Sequence, residues 1–291
     1  MSLLQSVFLG AVQGITEFLP VSSSGHLAIL KKVFSIDTGG SILFDVLLHF
    51  GTLIVIMIVF RKDVFRLFRS FFGIVSDLFT NLSLRKANRN AISVTPYKCI
   101  ISDNYRKYLM LLITSTIPTA VIGLIGQKLI GDASDTLIVP GICLLFTGLM
   151  LLFADSVPEN DKIPKDITYR EALIIGIAQG IATLPGISRS GATICACLLC
   201  GFNRRFAVRY SFILSIPVVL GGALLSLKDV TFSALAVSDV MIVLAGIVTA
   251  ALVGFACIHT MPLIVRKRKF KYFAYYCFAV GAIAVAIYFL M

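Results

Sequence analysis

Charged residues are scarce in this sequence. Only 14% of its 291 residues are Asp, Glu, Lys or Arg, whereas 58% are hydrophobic, and the mean hydropathy is +0.94. A soluble globular domain has about a quarter charged residues and about half apolar ones. So apolar a chain is neither intrinsically disordered nor collagenous. The composition predicts a polytopic membrane protein.

Acidic residues are the scarcer charge, because 15 Asp and Glu stand against 26 Lys and Arg, a net charge of +11. In a soluble chain this excess would suggest nucleic-acid binding. In an apolar chain its meaning depends on where the charges lie relative to the apolar runs. No Lys or Arg precedes Lys31. The first apolar stretch therefore lacks the basic region of a signal peptide and is not expected to be one.

The seven cysteines are an odd number and lie mostly in apolar segments, which argues against a small secreted disulfide scaffold. Cys195, Cys197 and Cys200 form the pattern CACLLC, which raises a metal site as an alternative. Structural metal sites need four ligands, and no His or further Cys motif accompanies this pattern. Buried free thiols are the favoured interpretation.

Apolar runs of about 20 residues are long enough to cross a bilayer. Six runs meet this length, at about 41–60, 108–126, 136–154, 206–225, 237–257 and 272–290. Two further apolar regions are broken. Residues 3–34 are interrupted by Pro20 and a serine run, and residues 172–202 by Pro185 and a similar run. Each broken region predicts a re-entrant helix–turn–helix, which the membrane tolerates only where protein or a wet cavity surrounds the break.

The two broken regions resemble each other. Val12–His26 reads VQGITEFLPVSSSGH and Ala178–Ala192 reads AQGIATLPGISRSGA, with six of fifteen positions identical at an offset of 166 residues. Chance is the alternative, but two clusters of identity in one register favour duplication. Three predicted spans separate the copies, so the second copy enters from the opposite face. The predicted fold is all-α and polytopic, with six transmembrane helices and two re-entrant pairs in an inverted-topology repeat. It forms one membrane domain, 1–291, with repeats at about 1–154 and 171–291.

The basic residues predict the orientation. Four connections on one side of the predicted bundle hold 21 of the 26 Lys and Arg residues; they are 61–107, 155–171, 203–209 and 258–271. The opposite side holds Lys31, Lys32, Lys128 and Lys228. By the positive-inside rule the basic connections are cytoplasmic and both termini lie outside. Residues 61–79 are also amphipathic and basic, which indicates either a helix on the inner leaflet or a plain solvated loop.

Few ionisable residues lie at membrane depth, where they are costly and usually functional: Glu17, His26, Asp45, His49 and Arg189. For Asp45 and His49, an interhelical hydrogen bond explains the pattern as well as catalysis does. Glu17 and His26 flank the first serine-rich turn, and Arg189 lies in the second. The duplication is therefore expected to bring a carboxylate, an imidazole and a guanidinium together.

The two serine-rich turns each precede a short predicted helix. A helix N-terminus with a Ser cap directs free backbone N–H groups and a positive dipole end outward, and Arg adds a forked donor suited to phosphate. Capping alone would explain one such turn, but two turns with an Arg predict a phosphate or carboxylate site. Its members are Ser22, Ser23, Ser24, Gly25, Ser188, Arg189, Ser190 and Gly191.

The stretches QGITEFLPVSSSGH, from Gln13 to His26, and LPGISRSGAT, from Leu184 to Thr193, resemble motifs of the undecaprenyl-diphosphatase family (BacA-type, bacitracin resistance). The resemblance includes Phe44-Asp45-Val46 with Gly51 and extends over essentially the whole chain. It implies a hydrolase of the bacterial cell membrane that converts undecaprenyl diphosphate to the monophosphate and recycles the lipid carrier of peptidoglycan synthesis. The implied partners are a polyprenyl diphosphate lipid and the bacterial membrane, not nucleic acid; a homodimer is left open.

The resemblance also implies a divalent cation, Mg²⁺ or Ca²⁺, with Glu17 as the expected metal ligand. The nucleophile is either Ser23 or a water, and His26 is the expected acid or base. A polyprenyl-phosphate transporter or flippase is the alternative function, because inverted repeats with broken helices are common in transporters. Many members have a second Glu where this chain has Gln13. The expected catalytic residues are Glu17, Ser23, His26 and Arg189, and the expected substrate-binding residues are Gln13, Ser22, Ser24, Gly25, Ser188, Ser190, Gly191 and Thr193.

Overall fold

The structure is a computed structural model that describes residues 1–36, 43–89, 93–127, 131, 133, 136–226 and 237–290. These residues are largely helical. In chain order the helices are α1 Leu3–Phe18, α2 Ser23–Val33, α3 Leu43–Val59, α4 Arg61–Asn88, α5 Asn104–Ile125, α6 Ile138–Ser156, α7 Tyr169–Ile181, α8 Arg189–Leu199, α9 Arg204–Ser226, α10 Val237–Ile258, α11 Met261–Arg266 and α12 Phe270–Leu290. A 3-10 turn at Pro164–Asp166 precedes α7.

Five stretches of helix among the described residues are long and apolar enough to cross a membrane. They are α5, α6, α9, α12 and the stretch Val240–Arg266, which includes most of α10. Helices α3 and α4 pass the same test only as a pair and are bent by 85° at their junction, so the total is five or six. Between 22% and 39% of each spanning window is buried, so most of this apolar surface faces outward, as lipid-facing helices require. The prediction of an all-helical polytopic membrane protein is confirmed.

The two broken regions form the predicted pairs of short helices. Helix α1 has 16 residues and α2 has 11, while α7 has 13 and α8 has 11. At 1.5 Å per residue each is shorter than the roughly 30 Å hydrocarbon core. Ser22 caps α2 and Ser188 caps α8, and each hydroxyl accepts the N–H of the glycine three residues later. The predicted capping is confirmed, because each Ser cap satisfies a backbone donor that the helix leaves free. The residues after each capping serine, predicted to lie in a turn ahead of the helix, instead form its first turn.

The first helix of each pair packs lengthwise against a helix from the other half of the chain, α1 against α10 and α7 against α5. Glycine makes both approaches close. A Cβ added at Gly10 would lie 2.4 Å from the carbonyl oxygen of Gly246, and one added at Gly176 would lie 2.1 Å from that of Ser115. Any side chain there would push the helices apart. The two glycines are separated by the same 166 residues as the sequence motifs.

Helix α6 contacts both short helices that begin at the serine-rich turns, α2 and α8. Thr147 of α6 secures the second turn, since its hydroxyl donates to the Gly186 carbonyl (2.9 Å) and accepts the N–H of Ser188 (3.1 Å). The turns also touch each other, because a Cβ at Gly25 would lie only 2.7 Å from the Cα of Gly186. This contact brings the two sequence motifs to one place.

Helix α4 occupies the amphipathic segment predicted at residues 61–79 and continues to Asn88. The alternative of a plain solvated loop is therefore wrong for this segment. Two of the lysines that the charge pattern assigns to the opposite side, Lys128 and Lys228, lie outside the described residues.

Candidate active site

Glu17 lies at the centre of the site, near the end of α1, with 9% of its side chain exposed. Its Oε2 accepts the hydroxyl of Ser23 at 2.6 Å and the side-chain amide of Gln13 at 3.1 Å. Its Oε1 accepts an N–H from Nη2 of Arg189 at 3.0 Å. The carboxylate thus joins the two turns across 172 residues of sequence, and a charge-assisted hydrogen bond of this kind is among the stronger polar contacts.

His49 of α3 also reaches Glu17, although the sequence left its role undecided. Its Nδ1 donates to the backbone carbonyl of Asp45 at 2.7 Å, which turns Nε2 toward Glu17 Oε2 at 3.4 Å. The side chain of Asp45 instead pairs with Lys31 at 2.6 Å. The sequence indicated only that His49 is an ionisable residue at membrane depth. The packing of α3 shows that its imidazole lies beside the Glu17 carboxylate.

His26 lies beside the site but its ring nitrogens are already engaged. Nδ1 donates to the Ser22 carbonyl at 2.8 Å, and this proton position leaves Nε2 to accept the hydroxyl of Tyr276 at 2.8 Å. The hydrogen-bond partner of Ser23 is therefore the Glu17 carboxylate and not the imidazole. Sequence reasoning missed Tyr276, because 250 residues separate it from His26 and no motif marks it.

Tyr276→Phe is expected to lower kcat/KM for the diphosphate hydrolysis that the family resemblance implies by about fivefold, the effect of losing one net hydrogen bond of about 1 kcal/mol. The change leaves His26 Nε2 buried without its partner, so the turn that His26 holds through Ser22 loosens. The measurement is the initial rate at several substrate concentrations, which gives kcat/KM. Tyr275→Phe is the matched control, because Tyr275 lies on the same helix with 61% exposure. An equal effect from both variants would contradict a role for the His26 contact.

The two turns enclose a small polar cavity. Its lining residues are Thr16, Glu17, Ser22, Ser23, Ser24, Ile187, Ser188, Arg189 and Ser190. The first N–H groups of a helix have no partner within the helix. Here the capping serines satisfy only Gly25 and Gly191, so the earlier N–H groups of α2 and α8 remain available at the cavity. Such groups bind anions, and the positive ends of both helix dipoles favour the same charge.

Arg189 has donors left for an anion. The one hydrogen bond that its side chain makes within the described residues goes to Glu17 Oε1, and a guanidinium has five N–H groups. Its side chain is 21% exposed, so it is neither fully buried nor free in solvent. The geometry therefore offers a forked, permanently charged donor at the junction of the two turns.

Other predicted residues support the cavity, Gln13 and Thr193 from outside its lining and Ser22 from within it. Gln13 is fully buried and donates to Glu17. Thr193 donates to the backbone carbonyl of Arg189 at 2.8 Å and contacts the hydroxyl of Ser211. Ser22 itself has a φ of 69°, a conformation that non-glycine residues rarely adopt and that surrounding contacts must hold.

The described residues at the site offer few ligands for the divalent cation that the sequence predicts. Within the described ranges, no group of three or more His, Cys, Asp or Glu side chains is placed to hold a metal. Glu17 is the one carboxylate that lines the cavity, and both its oxygens already accept hydrogen bonds from Arg189, Ser23 and Gln13. Hard cations prefer several oxygen ligands, whereas this donor set suits an anion.

Fold and site together define a polytopic membrane protein with a small polar cavity at which two helix N-termini and one arginine meet. The chain belongs to the family described as bacitracin resistance protein BacA, which it matches over residues 6–283. It is 36% identical to an undecaprenyl-diphosphatase of Alkaliphilus metalliredigens over 285 residues, covering 98% of both chains. It is 39% identical to an undecaprenyl-diphosphatase of Desulforapulum autotrophicum, again covering 98% of each, and 36% identical to one of Methanosphaera stadtmanae, covering 99% of this chain and 98% of the relative.

Proposed function

We propose that this protein hydrolyses undecaprenyl diphosphate to undecaprenyl phosphate and inorganic phosphate in the cell membrane. The activity is the one that the names of its full-length relatives state. The observation that carries the proposal is that Glu17 contacts both Ser23 and Arg189. All three residues line a cavity at the N-termini of two helices, whose first N–H groups have no partner within the helix. A nucleophile, its base and an anion receptor then lie within one hydrogen-bonded set.

In the proposed reaction the terminal phosphate occupies the cavity and the prenyl tail lies between helices. The Glu17 carboxylate takes the proton of the Ser23 hydroxyl, and Ser23 Oγ forms a bond to the terminal phosphorus. The bond from phosphorus to the bridging oxygen breaks, and undecaprenyl phosphate leaves with that oxygen and with the proton that Glu17 had taken. A water then attacks the phosphoserine and its proton goes to Glu17. The bond from phosphorus to Ser23 Oγ breaks, Glu17 returns that proton to Oγ, and inorganic phosphate leaves. Arg189 and the N–H groups stabilise the negative charge on phosphorus oxygens throughout.

Ser23→Ala is expected to abolish a phosphoenzyme that forms on wild-type protein. The 2.6 Å contact from Ser23 Oγ to Glu17 Oε2 supports the covalent route, because it supplies a base to the hydroxyl. The experiment incubates purified protein with undecaprenyl diphosphate labelled at the terminal phosphate, quenches it in acid, and counts protein-bound label together with released phosphate.

Ser24→Ala is the matched control for that experiment, since Ser24 lines the same cavity but contacts Ser22 and not Glu17. We expect Ser24→Ala to keep the bound label and Ser23→Ala to lose it along with turnover. A Ser23→Ala protein that still releases most of the phosphate would overturn the covalent route in favour of a water nucleophile. Wild-type protein that releases no phosphate would overturn the proposed function itself.

The inverted-topology repeat and its orientation belong to the same proposal. The pairing of α1 with α10 and of α7 with α5 supports two interlocked repeats, at about 1–154 and 171–291 of one membrane domain. The shared 166-residue offset of Gly10 and Gly176 supports the same division. Six spans place the basic connections in the cytoplasm and both termini outside. One broken pair then enters the membrane from each face, and the two pairs meet near its midplane.

Gln13→Glu is expected to make turnover depend on added Mg²⁺ or Ca²⁺. Gln13 Nε2 lies 3.1 Å from Glu17 Oε2, so a second carboxylate there would repel the first unless a cation or a shared proton separates them. We expect a low rate in chelator and a rise on cation titration that exceeds the rise in wild-type protein. The divalent cation stays a prediction for the wild-type chain; identical titration curves for both proteins would contradict the expected role of position 13.

A further inference from the structure

Helix α4 exposes two different stripes of side chains. Phe65, Phe68, Phe72 and Phe79 follow one another at helical spacing, and their exposures are 70%, 62%, 54% and 69%. Residues three, four and seven apart share one face of a helix, so these four rings form a continuous apolar stripe. We refer to it as the phenylalanine stripe. A row of exposed phenyl rings is unusual on a water-facing surface and marks an interaction site.

A second row beside the phenylalanine stripe is basic. Lys62, Arg66 and Arg69 are four and three residues apart, so they lie on one face and form the basic stripe. Lys62 and Arg69 are exposed. Arg66 is also exposed and donates to the Tyr105 hydroxyl at 3.0 Å.

The third face of α4 is fixed to the protein, and it holds the acidic residues. Asp63 accepts the hydroxyl of Tyr105 at 2.8 Å and lies 3.4 Å from Arg209 Nη1. Asp77 pairs with Arg106 at 2.6 Å. These contacts set the rotation of α4 about its own axis. They also neutralise its acidic residues on the inward side, so the charge that faces outward between residues 61 and 79 is positive.

The direction of α4 fits a membrane surface. It leaves the apolar helix α3 at 85°, so it runs nearly perpendicular to α3 instead of continuing it. An amphipathic helix with aromatic side chains on one face and Lys or Arg beside them lies in the interface plane of a bilayer. The basic residues then reach the headgroups while the apolar face enters the acyl boundary.

We propose that α4 is an in-plane anchor, with its phenylalanine stripe inserted into the leaflet on the side of the basic connections and its basic stripe bound to anionic phospholipid headgroups. Charge complementarity indicates anionic phospholipid as the binding partner, since every outward charge of residues 61–79 is positive and an anionic leaflet attracts such segments. The anchor is independent of the hydrolysis proposed for Glu17 and Ser23.

Tryptophan provides the probe, because the chain has none. Phe68→Trp places a single fluorophore on the phenylalanine stripe, and Arg69→Trp places one on the neighbouring basic stripe. Each full-length protein is reconstituted into phosphatidylcholine vesicles that contain a minor fraction of dibrominated phosphatidylglycerol or, in parallel, dibrominated phosphatidylcholine. Bromine on the acyl chains quenches only a fluorophore inside the leaflet, and aqueous iodide reports exposure to water.

We expect brominated lipid to quench Phe68→Trp more than Arg69→Trp, with iodide giving the reverse order. We expect phosphatidylglycerol to quench Phe68→Trp more than phosphatidylcholine does, since each basic residue near an anionic surface favours binding about fivefold. Adding Lys62→Gln and Arg69→Gln to Phe68→Trp removes that preference, as does high salt. Lys165→Gln with Arg205→Gln, two exposed cations elsewhere, is the matched control that keeps it.

Two outcomes would overturn the proposal. If iodide quenches Phe68→Trp as strongly as Arg69→Trp and brominated lipid quenches neither, α4 lies in water. If both brominated lipids quench Phe68→Trp equally at low salt, the helix enters the leaflet without selecting anionic lipid. Size-exclusion profiles of all variants check that they remain folded, and because phosphate release is not the readout, a failed hydrolysis assay leaves this test intact.

Discussion

Glu17→Gln is expected to lower the rate of phosphate release from undecaprenyl diphosphate by between about 10²-fold and 10⁴-fold, the usual contribution of a positioned acid or base. The amide keeps the size of the side chain and can still accept from Ser23, but it cannot take the hydroxyl proton. It also replaces the charge that pairs with Arg189 at 3.0 Å. The measurement is single-turnover phosphate release by purified protein at saturating substrate, so that the chemical step is read directly.

Glu159→Gln is the control for this prediction, because Glu159 is exposed and outside the cavity lining. Thermal unfolding of both variants separates a lost base from a lost fold, since removing one partner of a buried ion pair also destabilises a protein. A folded Glu17→Gln protein with a rate near that of the wild type would show that Glu17 is not the base. Ser23 would then need another proton acceptor, and His49 at 3.4 Å from Glu17 would be the next candidate.

Arg189→Ala is expected to lower kcat/KM by about 10³-fold or more, as removal of an arginine from a phosphoryl-transfer site does. Arg189 is the one cation among the described residues that line the cavity, and in the proposed reaction its remaining N–H groups stabilise the charge on the phosphoryl oxygens. Arg189→Lys keeps the positive charge but not the paired N–H donors of the guanidinium, so we expect it to recover only part of the lost kcat/KM. The measurement is steady-state kinetics with undecaprenyl diphosphate in detergent or vesicles.

Arg205→Ala is the matched control, since Arg205 is exposed on α9 and outside the cavity lining. The split between KM and kcat adds information. A rise in KM alone would mean that Arg189 binds substrate and transition state equally, whereas a fall in kcat means that it acts mainly on the transition state. Full activity of Arg189→Ala would contradict the proposed site, because no other described residue in the cavity lining carries a positive charge that could neutralise a diphosphate.

The site could be predicted from the sequence to a large extent. Gln13 and Glu17 are four residues apart, so helix geometry alone puts them on one face, and they are hydrogen-bonded in the structure. The serine caps of α2 and α8 follow from local chemistry in the same way. The meeting of Glu17 with Arg189 was expected from the duplication and is confirmed at 3.0 Å.

The sequence by itself determined the membrane class, the breaks in the two short helical pairs and the identity of most polar groups at the cavity. These properties depend on composition, helix period and capping, which act over a few residues. Only the tertiary structure decided that Glu17 and not His26 holds Ser23, that Tyr276 fixes His26, and that His49 faces the carboxylate. Those contacts depend on how helices distant in sequence pack, and a side chain's partner across such an interface follows from the rotation and depth of both helices, which no local pattern specifies. The scarcity of charged residues predicts a membrane protein, but the packing of the helices determines which of the few buried charged side chains are in contact.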